Sequence, residues 1–227
     1  MLKKRILAIG LTAVMTLGAS VPVWAGAVVV EVYQPEAIVI CQDTPTLFTD
    51  EQLLEAIYTA PDITDTRSAV VMTDRRMTAA ELTSWSDEFW ELGGISAFEL
   101  EVVRLINIER TAKGLPPLAI SPQLSVAARF HSQEMADLQF FAHRSAVYGR
   151  GTARAEMFGH ANRQQGFFGI GENIHGGALS PERVLRGWMN SAGHRRALLD
   201  PDAVTIGVGA VRISDSGMGR TTAKFGF

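Results

Sequence analysis

Three ionisable residues stand in turn-rich, glycine-flanked stretches of the chain, where a scaffold can present them. His143 closes Phe140-Phe141-Ala142-His143, Glu172 lies within Gly169-Ile170-Gly171-Glu172-Asn173-Ile174, and His194 follows Gly193 in Trp188-Met189-Asn190-Ser191-Ala192-Gly193-His194. Loops held by a rigid framework are where binding and catalytic groups concentrate. Two neutral imidazoles and one carboxylate can supply three ligands to a divalent cation such as zinc and leave a fourth position for water. The same side chains can instead join the loops through hydrogen bonds with no metal. Glu172 is the candidate general base for activating a water. The aromatic pair Phe140-Phe141 is expected to bury the adjoining chain and aim His143 outward, and Asn173 to brace Glu172. No His-Glu-x-x-His helix is present, so zincin chemistry has no support. Ser191 precedes His194 at a spacing that suggests a nucleophile and its base. Without an oriented acid or an oxyanion motif, the expected role of Ser191 is N-cap of a helix from His194 to Leu199.

The elements that must hold these residues follow from caps and periodicity. A short helix is expected over Asp50 to Thr59, and Thr78 with Glu81 predicts a capping box for a helix from Ala79 to Leu92, stopped by Gly93-Gly94. Trp85, Phe89 and Trp90 form its apolar stripe. Ser96 opens a helix with Phe98, Val102, Leu105, Ile106 and Ile108 inward, ended by Gly114-Leu115-Pro116-Pro117. Asn107 and Arg110 are placed to tie that helix to neighbouring loops. Ser121-Pro122 starts another, in which Leu124, Ala128, His131, Met135 and Leu138 fall on one stripe, so His131 is expected to be a core histidine. A short helix near Thr152 to Phe158, one from Ser180-Pro181 through a core Trp188, and strands over Val204 to Ile213 and Arg220 to Phe227 complete the pattern. Gly207 and Gly209 predict a close approach by another element. Arg195 and Arg196 are expected to face solvent or a helix carboxyl end. Helices and strands come in separate groups, which is an α+β fold with helices stacked on a small, largely antiparallel sheet.

The amino end predicts export. Lys3, Lys4 and Arg5 precede an apolar run from Ile6 to Val23, and Val23 and Ala25 suit signal peptidase, so residues 1–25 read as a signal peptide cut after Ala25. No later stretch is apolar enough to span a bilayer. The single cysteine, Cys41, excludes an internal disulfide and a four-cysteine zinc site. A net charge of −3 gives no basic field for nucleic acid. Residues 26–95, with a β-rich run at Ala27 to Tyr33, read as an extension acting as a stalk, a lid or a partner-binding arm.

In order and spacing, Arg104 to Gly114 (RLINIERTAKG), Leu124 to Met135, FFAH at 140–143, GENI at 171–174, WMNSAGH at 188–194 and Ile206-Gly207-Val208-Gly209 resemble the bacterial, SCP-like branch of the CAP superfamily. Other members of that superfamily are cysteine-rich secretory proteins, antigen 5 and pathogenesis-related 1 proteins. The resemblance covers residues 96–227 and implies an α-β-α sandwich. It also implies a central cleft with two histidines and two acidic residues, which in some members binds zinc or another divalent ion. His143 and Glu172 match the first two positions. The second acidic position falls near Ser191 and the late-strand histidine near Arg220, so His194 stands in as the second imidazole. The functions implied are an exported module that binds an extracellular or cell-envelope ligand, a metal-assisted hydrolase of peptide or envelope polymer with Glu172 as base, or lipid capture.

Overall fold

A computed structural model describes residues 44–63, 67–160, 169–213 and 217–227. The expected signal peptide, the Ala27 to Tyr33 run and Cys41 lie outside the described residues. Within them the chain runs α1 (Asp50–Thr59), α2 (Ala79–Glu91), α3 (Ala97–Thr111), β1 (Ala119–Ile120), α4 (Pro122–Asp137), α5 (Gly151–Met157), β2 (Gly171–Ala178), α6 (Pro181–Asn190), α7 (Ala192–Leu198), β3 (Thr205–Arg212) and β4 (Met218–Gly226). The fold is α+β, as the grouping of elements predicted.

Local chemistry sets the helix starts. Thr49 with Gln52, Thr78 with Glu81 and Ser96 with Glu99 each form a reciprocal capping box, which satisfies amide groups that the first turn leaves open. Ser121 caps α4 by accepting from the Leu124 amide, and Pro122 sits at its first turn. Gly93 and Gly94 follow α2 with φ of 91° and 72°, the left-handed turn that the pair predicted. The expected cap at α7 takes a different form: Ser191 holds the N-cap position, but the helix begins at Ala192 and the Ser191 side chain makes no capping bond.

The sheet has the order β1-β3-β4-β2, with β1 parallel to β3 and the other pairs antiparallel. Alternation assigns its two faces. Gly207 and Gly209 of β3 lie against the backbone of α4, and on the same face Lys224 pairs with Gly207 and with Glu172 of β2. The opposite face carries Asn173, which donates to the His194 carbonyl of α7, and His175, which lies against Gly187 of α6. Helices α4 and α6–α7 therefore cover opposite faces, an α-β-α sandwich with β2 as an edge strand.

Trp85, Phe89, Phe98, Val102, Ile106, Phe130, Trp188, Ile206, Val208 and Phe225 belong to one buried core, so α1 and α2 pack into the same interior as the segments after residue 96. Buried polar groups are tied to backbone. Arg110 donates to the carbonyls of Pro116, Leu198, Asp200 and Ala203, and Asn107 exchanges two hydrogen bonds with Leu118. Trp188 is buried and donates to the Ile174 carbonyl, which joins α6 to β2. Arg195 donates to the Met189 carbonyl near the end of α6, matching the expected helix-end role.

Candidate functional site

The site forms around the free edge of β2. His143 approaches from the loop after α4, on the face that bears Glu172; His194 approaches from α7, on the other. His143 Nδ1 lies 3.0 Å from Glu172 Oε1, and the His143 and His194 ring centroids are 6.5 Å apart. The structure thus brings all three predicted residues into one neighbourhood. Only His143 and Glu172 are hydrogen-bonded to each other, and among the described residues no bond joins His194 to Glu172.

Two residues that the sequence reading missed dominate the electrostatics. Lys224, wholly buried on β4, donates to Glu172 Oε2, and Arg154 of α5 reaches the same oxygen at 2.9 Å. Arg154 also donates to the carbonyls of Gly149 and His143, which fixes the loop that carries His143. Lys224 is a charge flanked by Ala223 and Phe225 near the end of the terminal strand, and that was the available signal. Gly151 leaves the space for this cluster, since a Cβ there would lie 2.8 Å from Glu172 Oε2 and 3.2 Å from Lys224 Nζ.

His131 is the buried core histidine expected from the stripe of α4, but it also borders the site. Its Nδ1 lies 3.1 Å from Glu134 Oε2, and its Nε2 lies 3.1 Å from the Ala142 carbonyl and 3.9 Å from Glu172 Oε1. The ring faces an oxygen at each nitrogen, and burial lowers the His131 imidazole against the pull of Glu134. Ser145 completes the network by donating to Glu134. The aromatic pair divides its work: Phe140 tilts against His131, whereas Phe141 is 52% exposed. The expectation that both rings bury the chain fails at Phe141, whose ring instead lies against Arg220 beside Gly176. Asn173 braces α7 through the His194 carbonyl and does not support Glu172.

Burial alone would raise the Glu172 carboxyl, but Lys224, the His143 hydrogen bond, Arg154 and His131 outweigh it and hold the group far below the usual carboxylate range. Burial pushes the Lys224 ammonium down to about 8, against the pull of Glu172. Burial and the neighbouring His143 lower the His194 imidazole, and burial with His194 lowers His175. Glu172 is therefore held as a buried anion by Lys224 and Arg154, and its two oxygens are engaged by His143, Arg154 and Lys224.

The same arrangement does not fit a metal. Both Glu172 oxygens already accept from His143, Arg154 and Lys224, and a divalent cation would have to displace or repel two buried cations. Among the described residues no group of three His, Cys, Asp or Glu side chains is placed to hold a metal ion. Titrating zinc into the full chain should therefore give binding no tighter than surface histidines provide, unchanged in Glu172→Gln. Stoichiometric zinc that is lost in that variant and measured by atomic emission would contradict this. A groove of about 590 Å³ between α2, α4 and the end of α5 is lined by Leu82, Trp90, Val126, Met157 and Phe158 together with Thr83, Ser86 and Asp87. It includes none of the cleft residues, so it gives the cleft no apolar box for lipid.

The sequence profile of the Cysteine-rich secretory protein family, CAP, matches residues 103–224. Over 117 residues the chain is 44% identical to the uncharacterized protein YkwD of Bacillus subtilis (strain 168), covering 52% of this chain and 44% of that protein. It is 35% identical over 127 residues to the uncharacterized membrane protein YlbC of the same organism, covering 56% of this chain and 35% of the relative. The crystal structure of an extracellular protein containing an SCP domain from Bacillus anthracis str. Ames superposes with a TM-score of 0.51 at 29% identity, covering 61% of this chain and 42% of that one. The chain thus spans less than half the length of each of these relatives. With over half of its residues inside the family's profile and the sandwich in place, the chain belongs to the CAP, or cysteine-rich secretory protein, family.

Proposed function

We propose that this is an exported CAP-domain protein that binds an extracellular or cell-envelope ligand at the edge of β2, through His143, held by Glu172, and His194, whose ring centroid lies 6.5 Å from that of His143. The observation that carries this reading is the pinning of Glu172 by Lys224, Arg154 and His143, which builds a rigid polar platform and leaves the imidazoles as its accessible groups. His143 has a side chain 53% exposed, whereas that of Glu172 is 6% exposed, so a ligand meets the histidine first. Export is supported by the amino-terminal signal pattern, and the relative from Bacillus anthracis is described as extracellular. No described helix is long and apolar enough to cross a membrane. In this reading residues 1–25 are removed, residues 96–227 are the CAP domain, and residues 26–95 brace it through α1 and α2.

The test has two parts. Fractionating cells that express the tagged full chain should place the mature protein outside the cytoplasm. Co-sedimentation with isolated cell envelopes should then be reduced about tenfold in the double variant His143→Ala, His194→Ala, as expected for the loss of one or two polar contacts. Envelope association equal in wild type and double variant would remove the cleft from the reading.

One observation favours a second reading, in which the cleft is hydrolytic. His143 Nδ1 lies 3.0 Å from Glu172 Oε1 and the His143 side chain is 53% exposed, the disposition of an imidazole oriented by a carboxylate toward a substrate. In that case His143→Ala abolishes turnover of an envelope peptide or glycan, and activity that survives this substitution excludes the reading.

A further inference from the structure

Farther along the same sheet face, the cleft carries a second feature that the histidines do not use. Arg220 of β4 pairs with Gly176 of β2, just as Lys224 pairs with Glu172. Glu172 and Gly176 are thus on one face of one strand, about 13 Å apart. Because residue 176 is glycine, the space beside it is filled by two side chains from elsewhere: a Cβ there would lie 3.2 Å from the Phe141 ring and 3.3 Å from Arg220 Nη1. The Arg220 guanidinium lies over Phe141, 5.5 Å from the ring centroid.

Lys224 and Arg220 have opposite surroundings. Lys224 is neutralised by Glu172, whereas among the described residues no carboxylate forms an ion pair with Arg220. Among the described residues its Nη1 donates to the adjacent Gly219 carbonyl at 3.3 Å and its buried Nε has no partner. The cation is held in place by stacking, with no counter-charge among the described residues. Phe141 and His143 are two residues apart in one loop and both more than half exposed, at 52% and 53%. A ligand that touches His143 can therefore extend toward Phe141.

We propose that Phe141 and Arg220 form an anion subsite of the cleft, which takes the carboxylate or phosphate of a sugar unit in an anionic glycan. This rests on the reading that the β2 edge is a ligand cleft, and it names the ligand class. A planar guanidinium fork suits an oxyanion, and the exposed phenyl ring offers a flat apolar surface to the C–H face of a pyranose. The whole chain carries a net charge of −3, so attraction of an anionic polymer has to come from a local cation such as this one.

The test uses the full chain and three probes in isothermal titration: an oligogalacturonate, its fully methyl-esterified form, and an oligomer of mannose 6-phosphate. The free acid or the phosphate should bind, the methyl ester should bind about 10- to 100-fold more weakly, and the preferred anion identifies the oxyanion. Affinity should fall as salt rises. Arg220→Gln should lower affinity to that of the ester, and Arg220→Lys should recover only part because a point charge lacks the fork. Phe141→Ala, at an exposed position, provides the test if Arg220→Gln fails to fold, and it should also weaken binding. Equal binding of acid and ester, no binding of either anionic probe, or affinity unchanged in both Arg220→Gln and Phe141→Ala would overturn the subsite. If the His143→Ala, His194→Ala double variant weakens binding and the Arg220 and Phe141 variants do not, the cleft stands and the subsite falls. The reverse pattern keeps the subsite and removes the histidine cleft.

Discussion

Gly209→Ala should prevent the protein from reaching its native fold. A Cβ at residue 209 would lie 1.9 Å from the Arg129 amide nitrogen and 2.3 Å from its Cα, and these are helix backbone atoms with no rotamer to yield. Relief requires α4 to lift off the sheet, yet the same contact carries the Ser132 hydroxyl donating to the Gly209 carbonyl and the Arg129–Glu99 ion pair beside it. The loss should exceed about 4 kcal/mol, a large share of the ~5–15 kcal/mol that stabilises a typical domain. The variant should appear in inclusion bodies, or in solution with weakened near-ultraviolet circular dichroism and no cooperative melt. Gly193→Ala is the matched control, since a Cβ there meets nothing within 4 Å, and it should melt with the wild type. A Gly209→Ala protein that melts within about 3 °C of wild type would show that α4 does not depend on this contact.

Glu172→Ala should have the next largest effect, and it has a distinct pH signature. It leaves Lys224 and Arg154, both with side chains 0% exposed, without their carboxylate. Stranding buried charges in this way costs about 3–5 kcal/mol, whereas replacing a buried pair by apolar groups is often close to neutral. The double variant Glu172→Gln, Lys224→Met should therefore be more stable than Glu172→Ala, and denaturant unfolding of the three proteins measures this. The folded-state carboxyl of Glu172 is depressed, so its contribution is present above the unfolded value near 4.5 and is lost as pH falls below it toward the folded value. Wild type should lose stability through that acid range, and Glu172→Ala should lack this part of the slope. Lys224 works in the opposite sense: its folded value, about 8, lies below its unfolded value of 10.5, so the folded state gains as pH rises between them. Without Glu172 that window opens at lower pH, and the deficit of the variant should narrow as pH rises toward about 8. A deficit that is flat with pH would show that Lys224 is not buried in its charged form.

Much of this molecule follows from local rules. Thr78 with Glu81 and Ser96 with Ser121-Pro122 specify helix starts because capping involves only three or four consecutive residues. The helix stripes locate Phe98, Val102, Ile106, Leu124 and His131 in the interior because apolar burial repeats with the helix period. Gly207 and Gly209 signalled a close approach, although not that α4 makes it. The motifs around His143, Glu172 and His194 marked the cleft by their glycine-flanked pattern, although Glu172 lies on β2 and His194 in α7. What these signals lack is any record of which distant charge each side chain meets.

That information resides in strand register and layer order. Lys224 faces Glu172 because β4 pairs with β2 in one particular alignment, and a one-residue slip would send it to the opposite face. Arg154 reaches Glu172 from a short helix on the same face, and His194 reaches His143 around the free edge of β2, across the sandwich. The sequence alone determined the family, the α+β class, the caps and the location of the cleft, since each depends on neighbouring residues or on a fixed period. Only the tertiary structure decided that Glu172 is pinned by two buried cations, because long-range Coulomb pairing depends on distances that no local pattern encodes.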